Sequence, residues 1–381
     1  MKYFIIAGEA SGDIHGASLI EALKRQDSNA QFQFLGGDMM AAQAGVQPLI
    51  HYRDMAYMGV LEVLKHLPTI LGIMRTAKQA IADGRPDAII LIDYPSFNLK
   101  IAKYAQGLGI PCFYFIAPKV WAWKERRLKD IKRYITRLFS ILPFEKEYFR
   151  KHDYEVEYVG NPTVKEIAEA AEKFTHFNTF VAENGLDDER PIIALAPGSR
   201  RREIRDNLPI MVEAALRHPE YQMAIAGAPS TAQHLYDEVL EPLGVKVPVL
   251  YGKSFELVHH ARVALVTSGT ATLEAAIIGT PQVACYRAYG SKVVYDIYKN
   301  ILKIKYVTLP NLITDSPVIP ELLLHLCTVD SVDAHLTALL QDSTERQRML
   351  DGYSRLKQML TDKDCTTCTA QGIIEYLNAH K

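Results

Sequence analysis

A short loop near the start of the sequence combines glycines with ionisable side chains. Residues 3–7 are apolar and lead into residues 8–16, GEASGDIHG, and helix-like sequence follows. A glycine-rich turn between a first strand and a first helix places backbone N–H groups at the carboxyl edge of a sheet, where α/β proteins bind ligands. The loop lacks the Gly-Lys-Ser/Thr of a P-loop and does not match G-x-G-x-x-G.

The ionisable side chains of this loop are candidates for chemistry. There are more of them than a turn requires, which favours a functional site. Carboxylate and imidazole groups can act as general bases or bind the hydroxyl groups of a substrate. The alternative is a tight strand-to-helix turn that is capped by Ser11 or Asp13. The candidate bases are Glu9, Asp13 and His15, and the candidate substrate contacts are Ser11 and Gly12.

A second turn combines small residues with arginines. Residues 192–196 are apolar and lead into Pro-Gly-Ser-Arg at 197–200, and further arginines follow. Small residues let the backbone approach a ligand closely, and guanidinium groups pair with phosphate oxygens in a fork geometry. The turn therefore predicts a diphosphate contact, with Arg200 as the foremost candidate beside Gly198 and Ser199. The alternative is a solvated basic turn, which is expected for some of the other arginines.

A third turn carries small hydroxyl residues before a helix. Residues 263–267 are apolar and lead into Ser268, Gly269 and Thr270, whose N–H and hydroxyl donors can bind phosphate at a helix start. Glu274 lies one helical turn later and can accept hydrogen bonds from both hydroxyls of a ribose. Its alternative is an acidic residue that favours a first turn. Together the two turns predict a nucleotide site, whereas residues 306–312 alone indicate a loop packed on the core.

The elements that must position these turns form two successive α/β series. Short apolar runs alternate with amphipathic segments of helix length, as is typical of buried parallel strands in doubly wound domains. The predicted strands of the first series are 3–7, 33–35, 88–92, 112–116, 138–142 and 156–159. Those of the second series are 192–196, 221–226, 247–251, 263–267 and 282–286.

We therefore predict an α/β protein with two Rossmann-like domains. The N-terminal domain is expected over 1–165, a linker over 166–190 and the C-terminal domain over 191–345. Helices over 346–381 are expected to pack back on the N-terminal domain. A length of 381 residues agrees with two domains.

Composition argues against several classes of protein. The net charge of −1 gives no global field that would recruit nucleic acid or anionic lipid, so no nucleic-acid partner is expected. No apolar stretch reaches about 18 residues, and the chain is not expected to cross a bilayer. Five scattered cysteines suit a reducing cytoplasm. The isolated CxxC of Cys365 and Cys368 lacks the second ligand pair that zinc would need.

Seven short motifs occur in order between residues 8 and 312. They are GEASGD at 8–13, IDYPSFN at 92–98, VWAW at 120–123, LPFE at 142–145, PGSR at 197–200, SGTA at 268–271 and LPNL at 309–312. In residue type and order they resemble the motifs of the bacterial lipid-A-disaccharide synthase family. Modest departures, for instance at Ala10 and Tyr94, leave the acyl-chain preference open.

The resemblance implies a GT-B architecture with two Rossmann-like domains that face a cleft. It implies an inverting transfer of 2,3-diacylglucosamine from UDP-2,3-diacylglucosamine to 2,3-diacylglucosamine 1-phosphate, with release of UDP. It also implies that no metal or other cofactor is needed. Asp93 matches the family's candidate base. The positions that match residues tied to the nucleotide or to activity are Arg200, Glu274 and Asn311.

Asp93 also has a place in the predicted fold. It follows the apolar run 88–92, so it stands at the carboxyl end of a predicted strand. An inverting transfer needs a base for the acceptor hydroxyl and stabilisation of the departing diphosphate. Asp93 would supply the first, and Arg200 with the turn 268–270 the second. Asn98, in the same motif, is a candidate substrate contact, and the alternative for Asp93 is a strand-end aspartate that caps a loop.

Two segments predict contact with a membrane surface. Residues 55–74 hold more apolar side chains than one core-facing stripe needs. Residues 119–137 hold eight basic side chains, with Trp121 and Trp123 near the start, which suits an anionic lipid interface. The alternatives are a packed core helix and a solvated basic helix. The candidate contacts with acyl chains are Met58, Leu61 and Leu64.

The expected location is the cytoplasmic face of the inner membrane of a Gram-negative bacterium, with peripheral attachment, and a homo-oligomer is one option. Two other functions share part of the pattern. A UDP-N-acetylglucosamine 2-epimerase, or another GT-B sugar transferase, would have the nucleotide turns without the apolar segment. A non-catalytic nucleotide-binding or membrane-docking protein would not need Asp93 at a sheet edge.

Overall fold

The apolar runs of the sequence form two separate parallel sheets in the computed structural model of the protein. The structure describes residues 1–55, 66–123, 125–229, 231–267, 269–287, 305–361 and 363–380. The chain divides into two compact units, an N-terminal unit of Met1–Pro162 with Asp362–Lys381 and a second unit of Thr163–Thr361. Each unit has its own sheet and its own hydrophobic core.

The sheet of the N-terminal unit has seven parallel strands among the described residues. They are β1 (Lys2–Ala7), β2 (Gln31–Gly36), β3 (Ile50–His51), β4 (Ala88–Ile92), β5 (Cys112–Phe115), β6 (Arg137–Ser140) and β7 (Glu157–Tyr158). Their order is β3-β2-β1-β4-β5-β6-β7, so the direction of winding reverses between β1 and β4. These two strands end at the same level, because Ala7 pairs with Ile92.

Helices cover both faces of this sheet. Along β1, Phe4 and Ile6 join one apolar layer while Tyr3 and Ile5 join the other. A parallel sheet that is covered on both faces needs apolar side chains at every strand position, which is why its strands read as continuous apolar runs. The first helices of the unit are α1 (Ala10–Gln26), α2 (Asp38–Ala44), α3 (Leu67–Gly84), α4 (Pro95–Gly107), α5 (Val120–Trp123), α6 (Leu128–Tyr134) and α7 (Pro143–Arg150), with 3-10 turns at Tyr52–Asp54 and Glu125–Arg127.

The second unit repeats the plan with six parallel strands in its described residues. They are β8 (Ile192–Ala196), β9 (Gln222–Gly227), β10 (Val249–Tyr251), β11 (Ala261–Val266), β12 (Gln282–Tyr286) and β13 (Glu321–Leu323). The order is β10-β9-β8-β11-β12-β13, which reverses between β8 and β11. Ala196 pairs with Val266, so these two strands also end together.

The remaining helices follow the same alternation. They are α8 (Pro162–Ala171), α9 (Phe177–Glu183), α10 (Arg201–Ala215), α11 (Gln233–Leu240), α12 (Ser254–His260), α13 (Gly269–Ile278), α14 (Leu309–Thr314), α15 (Val329–Leu340), α16 (Thr344–Met359) and α17 (Cys365–Ala379), with 3-10 turns at Glu241–Leu243 and Leu324–Leu326. The predicted fold class, α/β with two Rossmann-like sheets, is confirmed, and each predicted strand has its counterpart. The short strands β3 and β13 were not predicted.

The unit boundaries differ from those expected from the sequence. Helices α8 and α9 occupy most of the expected linker and belong to the second unit. Helix α16 does not return to the N-terminal unit, because its buried side chains, including Tyr353, pack in the second unit, where the Tyr353 hydroxyl accepts a hydrogen bond from Gln282 Nε2 at 3.1 Å. The return is made by α17, whose Ala370 and Ile373 lie in the N-terminal core.

Candidate active site

Gly8 and Asp93 follow paired residues at the carboxyl edge of the N-terminal sheet, where the winding reverses. Such a switch point is where open α/β sheets bind ligands. Gly8 packs against the ring of Tyr94, and a Cβ atom on Gly8 would lie 2.4 Å from Cγ of Tyr94. Only glycine leaves room for that contact. The turn after β1 and the turn after β4 therefore form one packed structure.

Asp13, predicted as a base, is a structural residue in this fold. Its side chain is buried, and its carboxylate accepts hydrogen bonds from the N–H groups of Gly37, Met39 and Met40 at 2.7, 3.1 and 3.2 Å. These donors lie at the start of α2, so Asp13 caps that helix from outside. Both oxygens are engaged away from solvent, and we correct the prediction of a catalytic role.

The other candidates of the first loop lie at the start of α1. Glu9 is the N-cap residue and Ser11 is exposed. Gly12 is buried, and a Cβ atom there would lie 3.2 Å from Cβ of Ala7, so this residue serves helix-to-strand packing rather than substrate contact. Burial lowers the pKa of His15 to about 4, which leaves the imidazole neutral at pH 7. Glu9, Ser11 and His15 stay predictions.

The backbone of the turn after β4 is strained. Asp93 and Tyr94 have φ angles of 44° and 47°, in the left-handed region that residues other than glycine rarely adopt. Such conformations cost about 1–3 kcal/mol each and cluster at functional sites. Helix α4 starts directly afterwards at Pro95, whose fixed φ suits the first helical position. The Asp93 side chain is left exposed at the sheet edge.

Two buried side chains hold this strained turn through the backbone carbonyl of Asp93. Asn98 donates from Nδ2 to that carbonyl at 2.7 Å and to the carbonyl of Ile92 at 3.2 Å. The hydroxyl of Tyr114, on the neighbouring strand β5, donates to the same Asp93 carbonyl. Asn98 is fully buried, so we correct its predicted role from substrate contact to support of the turn. Tyr114 was missed because its position within an apolar run indicates only a core residue.

The environment of the Asp93 carboxylate contains two cations. Although part of the side chain reaches solvent, the surrounding protein partly desolvates the carboxyl group and raises its pKa above the ordinary value for aspartate, while Lys119, the backbone N–H of Tyr94 and Arg127 act in the opposite direction. A carboxylate with a raised pKa that is still accessible is suited to take a proton from a hydroxyl group. The strand-end position predicted for Asp93 is confirmed, and its role as the base stays a prediction.

Glu145 is a buried carboxyl group that the sequence analysis did not single out. It accepts hydrogen bonds from Trp121 Nε1 at 2.8 Å and from the hydroxyl of Ser140. The ring of Trp121 also packs edge-on against Phe144, with ring centroids 5.0 Å apart. Burial raises the pKa of Glu145 to about 7, although Ser140, Trp121 and Lys119 favour the charged form. The signal available in the sequence was the LPFE motif, which ends in this residue.

In the second unit, the PGSR turn follows β8 and is closed by an acidic side chain. Gly198 has a φ of 107°, and a Cβ atom there would lie 2.5 Å from Oε2 of Glu203. Glu203 accepts from the N–H groups of Ser199 and Arg200 at 3.1 and 3.2 Å, as in a capping box. Both N–H groups are therefore bonded to the Glu203 carboxylate. Glu203, three positions after Arg200, was missed although its spacing is that of a capping box.

Arg200 is the exposed cation of this turn. Its Nη1 lies 2.9 Å from Oε1 of Glu203, and 66% of its side chain is exposed, against 13% for Glu203. An exposed ion pair of this kind contributes about 0–1 kcal/mol, so the guanidinium can exchange its partner at little cost. Arg200 is thus placed at the switch point of the second sheet and is accessible to an anion.

The third turn brings Gly269 and Thr270 to the same edge, because β11 and β8 end together. Gly269 begins α13, and Thr270 is exposed. Ser268 lies outside the described residues. Glu274 is half-buried one turn into the helix, and burial, with a contribution from the charge of Glu166, raises its pKa to about 7. The turns predicted for the nucleotide thus meet at one switch point.

The side-chain amide of Asn311 bonds to neighbouring groups of the second unit. It is buried, donates from Nδ2 to the carbonyl of Ile319 at 2.9 Å and to Glu321 Oε1 at 3.0 Å, and accepts from the N–H of Ile319 at 2.9 Å. These bonds tie α14 to the residues that lead into β13. These bonds give Asn311 a structural role, and its nucleotide contact stays a prediction.

The apolar segment 55–74 is divided between core and surface. Met55, Ile73 and Met74 are buried, which corrects the expectation of a surface stripe for these three. Leu67 and Leu71 on α3 are 44% and 47% exposed. Met58, Leu61 and Leu64 lie outside the described residues. Across the described ranges, we find no helix of the length and apolar content needed to span a bilayer.

Comparisons with known proteins agree with the motifs. A family model described as lipid-A-disaccharide synthetase matches residues 3–372. The lipid-A-disaccharide synthase of Myxococcus xanthus is 36% identical over 380 residues, which cover 99% of this chain and 97% of that protein. The lipid-A-disaccharide synthase of Acidobacterium capsulatum is 34% identical over 373 residues and 94% of this chain, with 91% of that protein covered.

Solved structures show the fold. The S. aureus MnaA–UDP co-structure has a TM-score of 0.69 at 12% identity, covering 99% of this chain and 97% of that chain. The UDP-GlcNAc 2-epimerase from Neisseria meningitidis bound to UDP-GlcNAc gives 0.64 at 13%, with 100% of both chains covered. CalG4, the calicheamicin glycosyltransferase, gives 0.58 at 14%, with 99% and 98% covered. At such identities the likeness concerns the fold alone, which is that of GT-B glycosyltransferases.

The family match and the relatives extend over nearly the whole chain, whereas the epimerases share only the fold. This decides between the alternatives left open by the sequence, because neither an epimerase nor a non-catalytic binding protein is supported. The enzyme class is that of a glycosyltransferase. On the strength of a family match over residues 3–372 and of relatives at 36% and 34% identity that cover 99% and 94% of this chain, the chain belongs to the lipid-A-disaccharide synthase family.

Proposed function

We propose that the chain transfers 2,3-diacylglucosamine from UDP-2,3-diacylglucosamine to the 6-hydroxyl of 2,3-diacylglucosamine 1-phosphate, with Asp93 as the base. The products are the β-1,6-linked disaccharide 1-phosphate and UDP. The observation that carries this proposal is the strained turn after β4. Its backbone carbonyl is held by Asn98 and Tyr114, while the Asp93 carboxylate is left exposed at the switch point.

The proposed step is a single displacement. The acceptor oxygen attacks the anomeric carbon of the donor as the bond from that carbon to the UDP oxygen breaks, and the acceptor proton passes to Asp93. The raised pKa of the Asp93 carboxyl makes it a better proton acceptor than an ordinary aspartate. Attack opposite to the leaving group inverts the anomeric configuration, in agreement with a β-linked product.

The donor side of the proposal lies in the second unit. Arg200 would exchange Glu203 for an oxygen of the diphosphate and so offset the charge of the leaving group. The start of α13, at Gly269 and Thr270, would add N–H and hydroxyl donors, and we assign Ser268 the same role from its sequence position. Glu274 would accept the ribose hydroxyls. The proposed reaction uses no cofactor.

Peripheral attachment to the inner membrane also belongs to this proposal. Both substrates carry acyl chains, and exposed Leu67 and Leu71 supply part of an apolar surface on α3. The basic residues of the segment 119–137 would add attraction to anionic lipids. Met58, Leu61 and Leu64 are proposed acyl-chain contacts from their sequence positions alone. We also propose that the chain can form a homo-oligomer.

The decisive experiment is a transfer assay with purified protein and both lipid substrates, run with EDTA present because the family resemblance implies no metal. We expect one UDP released for each disaccharide formed. Omission of the acceptor should abolish the disaccharide and reduce UDP release to slow hydrolysis. If no disaccharide forms when both lipids are saturating, the proposed reaction is contradicted. A melting curve of the same protein shows whether unfolding caused the result.

A further inference from the structure

Arg127 lies beside the turn that carries Asp93. Its Nη2 donates to the hydroxyl of Ser96 at 2.5 Å, and Ser96 belongs to the first turn of α4, three residues after Asp93. The guanidinium is half-buried, and burial lowers its pKa. The negative charge of Asp93, which is not in ion-pair contact, favours the charged guanidinium and acts to raise its pKa. Among the described residues, no carboxylate forms an ion pair with Arg127 at 4.0 Å or less.

Lys119 is a second cation at the same place. It is exposed, and its charge acts on both Asp93 and Glu145. Within the part of the chain that the structure describes, Lys119 also forms no ion pair within 4.0 Å. Arg150, by contrast, lies 2.9 Å from Glu147. Among the described residues, the direct partner of the half-buried Arg127 guanidinium is the Ser96 hydroxyl, so its charge is available to an anion.

We propose that Arg127 and Lys119, with the hydroxyl of Ser96, bind the phosphate monoester of the acceptor. This inference rests on the proposed function, which supplies an acceptor that carries a 1-phosphate. A phosphate monoester has a charge of about −1.5 to −2 at pH 7 and three strong acceptor oxygens. A guanidinium can bind two of these oxygens at once, while an ammonium acts as a point charge.

The proposed base, Asp93, and the proposed phosphate contact, Ser96, lie three residues apart in the chain. The acceptor's reacting hydroxyl and its phosphate are carried by the same ring, so the base and the phosphate contact must be neighbours. Asp93 and Ser96 meet this requirement, because Asp93 directly follows β4 and Ser96 lies three residues later in the first turn of α4. The two cations would also offset the repulsion between the phosphate and Asp93. Binding of the phosphate would therefore orient the hydroxyl towards its base.

An anionic lipid headgroup has the same chemistry as the acceptor phosphate, and the experiment must distinguish the two. An exposed basic residue on helix α4 provides the matched control, since Lys103 lies seven positions after Ser96 and outside the segment 119–137. The substrates are the acceptor with its 1-phosphate and the same diacylglucosamine without the phosphate. Each is assayed in neutral detergent micelles and again on vesicles that contain phosphatidylglycerol.

With the phosphorylated acceptor in micelles, Arg127→Ala should lower kcat/KM by about 10- to 100-fold, the range for a charge-assisted hydrogen bond. Lys119→Ala should lower it by a smaller factor, and Arg127→Lys should retain part of the activity. With the dephosphorylated acceptor, both alanine variants should equal the wild type, which itself should be slower by a similar factor. Lys103→Ala should match the wild type with both acceptors.

Three outcomes would overturn the inference. Equal losses with both acceptors would mean that Arg127 only supports α4 through Ser96. A loss confined to anionic vesicles, and equal for both acceptors, would assign the cations to the membrane. A comparable loss in Lys103→Ala would show a general effect of charge. By contrast, a wild-type protein that glycosylates neither acceptor would refute the proposed function, and melting curves of each variant exclude unfolding.

Discussion

Asp93 shows a division of labour within one residue. Its carbonyl oxygen takes the hydrogen bonds of Asn98 and Tyr114, and these bonds hold a backbone that would otherwise relax. Its carboxylate is left to the solvent and to the charges of Lys119 and Arg127. An aspartate that merely capped a loop would use the carboxylate for the loop, as Asp13 does for α2.

Replacing Asp93 by asparagine keeps the size and removes the basicity. We expect turnover to fall by about 10²–10⁴-fold, the span of general-base catalysis. UDP affinity and melting temperature should barely change, because the backbone contacts of the turn are retained. Steady-state turnover with both lipids saturating, together with calorimetry of UDP binding, measures the effect. Near-wild-type turnover would move the base assignment to Glu9 or His15.

Arg200, the N-cap residue of α10, can be tested against Arg202 in the first turn of that helix. Arg200→Ala should weaken UDP binding by about 1.5–3 kcal/mol, the range for a hydrogen bond to a charged group. Arg202 is the matched control, since 76% of its side chain is exposed and it pairs with Asp206 at 3.5 Å. Arg202→Ala should leave the affinity unchanged in the same titration calorimetry. Equal affinities for both variants and the wild type would remove Arg200 from the site.

At the scale of single residues, sequence reasoning located positions better than roles. Asp93 and Arg200 were placed at strand ends because apolar runs precede them. Asp13 was predicted as a base, and Asn98 and Asn311 as ligand contacts, yet each forms hydrogen bonds with the protein's own backbone. A motif fixes the type and position of a polar residue. Whether its side chain faces the substrate or the backbone depends on three-dimensional contacts that spacing does not contain.

At the scale of the element, the turn between β4 and α4 depends on the neighbouring strand β5. Tyr114→Phe removes one hydroxyl donor from the Asp93 carbonyl and leaves Asn98 in place. We expect turnover to fall about 10-fold or more, because small misplacement of a catalytic group is costly. Unfolding free energy should fall by about 1 kcal/mol, the value of a typical hydrogen bond.

The control for this variant is a tyrosine with a similar bond elsewhere in the unit. Tyr154 donates from its hydroxyl to the carbonyl of Ile135 at 3.2 Å. Tyr154→Phe should lose similar stability in urea unfolding and keep full turnover. If Tyr114→Phe also keeps full turnover, the bond to the Asp93 carbonyl does not position the carboxylate.

The segment around α5 and α7 should respond to pH through Glu145. Its pKa is raised from an ordinary value of 4.5 to about 7, so the folded state holds the proton more tightly than the unfolded state. The stabilisation is therefore fully present below about pH 4.5 and is lost as pH rises through about 7. The loss amounts to about 3 kcal/mol at 1.36 kcal/mol per pKa unit.

Glu145→Gln imitates the protonated form and should remove this part of the pH dependence. Urea unfolding can be followed by tryptophan fluorescence, because both tryptophans of the chain, Trp121 and Trp123, lie on α5. The difference between variant and wild type isolates Glu145 from Glu274, whose pKa is also raised to about 7. Parallel stability profiles between pH 5 and 8 would contradict the assignment.

At the same scale, the main strands were predictable and the short ones were not. Runs such as 88–92 are apolar because both sheet faces are covered, and that signal needs no tertiary information. Strands β3 and β13 have two and three residues, too few to show a period. Helix α16 was assigned to the wrong unit, since an amphipathic pattern indicates a buried face without indicating the partner.

At the scale of the whole molecule, the exposed apolar side chains of α3 predict attachment to lipid. Changing Leu67 and Leu71 to serine should weaken liposome binding by at least about 10-fold, since burying one leucine is worth about 1.5–3 kcal/mol. Melting should be unaffected because both are exposed. Leu216, 44% exposed in the second unit, is the matched control. Binding unchanged in the double variant, measured by vesicle flotation at low salt, would contradict this role for α3.

The position of α17 has a consequence for how the protein is made. Side chains of α17, among them Ala370 and Ile373, complete the core around Phe113 and Phe139, and the other members of that core come from the first 162 residues. A ribosome therefore releases the N-terminal unit last, after the inserted unit of Thr163–Thr361 has been translated and can already have folded. Until then, the apolar side chains that α17 will cover are exposed on the nascent chain, where a chaperone could bind them. A premature stop codon anywhere before this helix would leave these side chains permanently exposed.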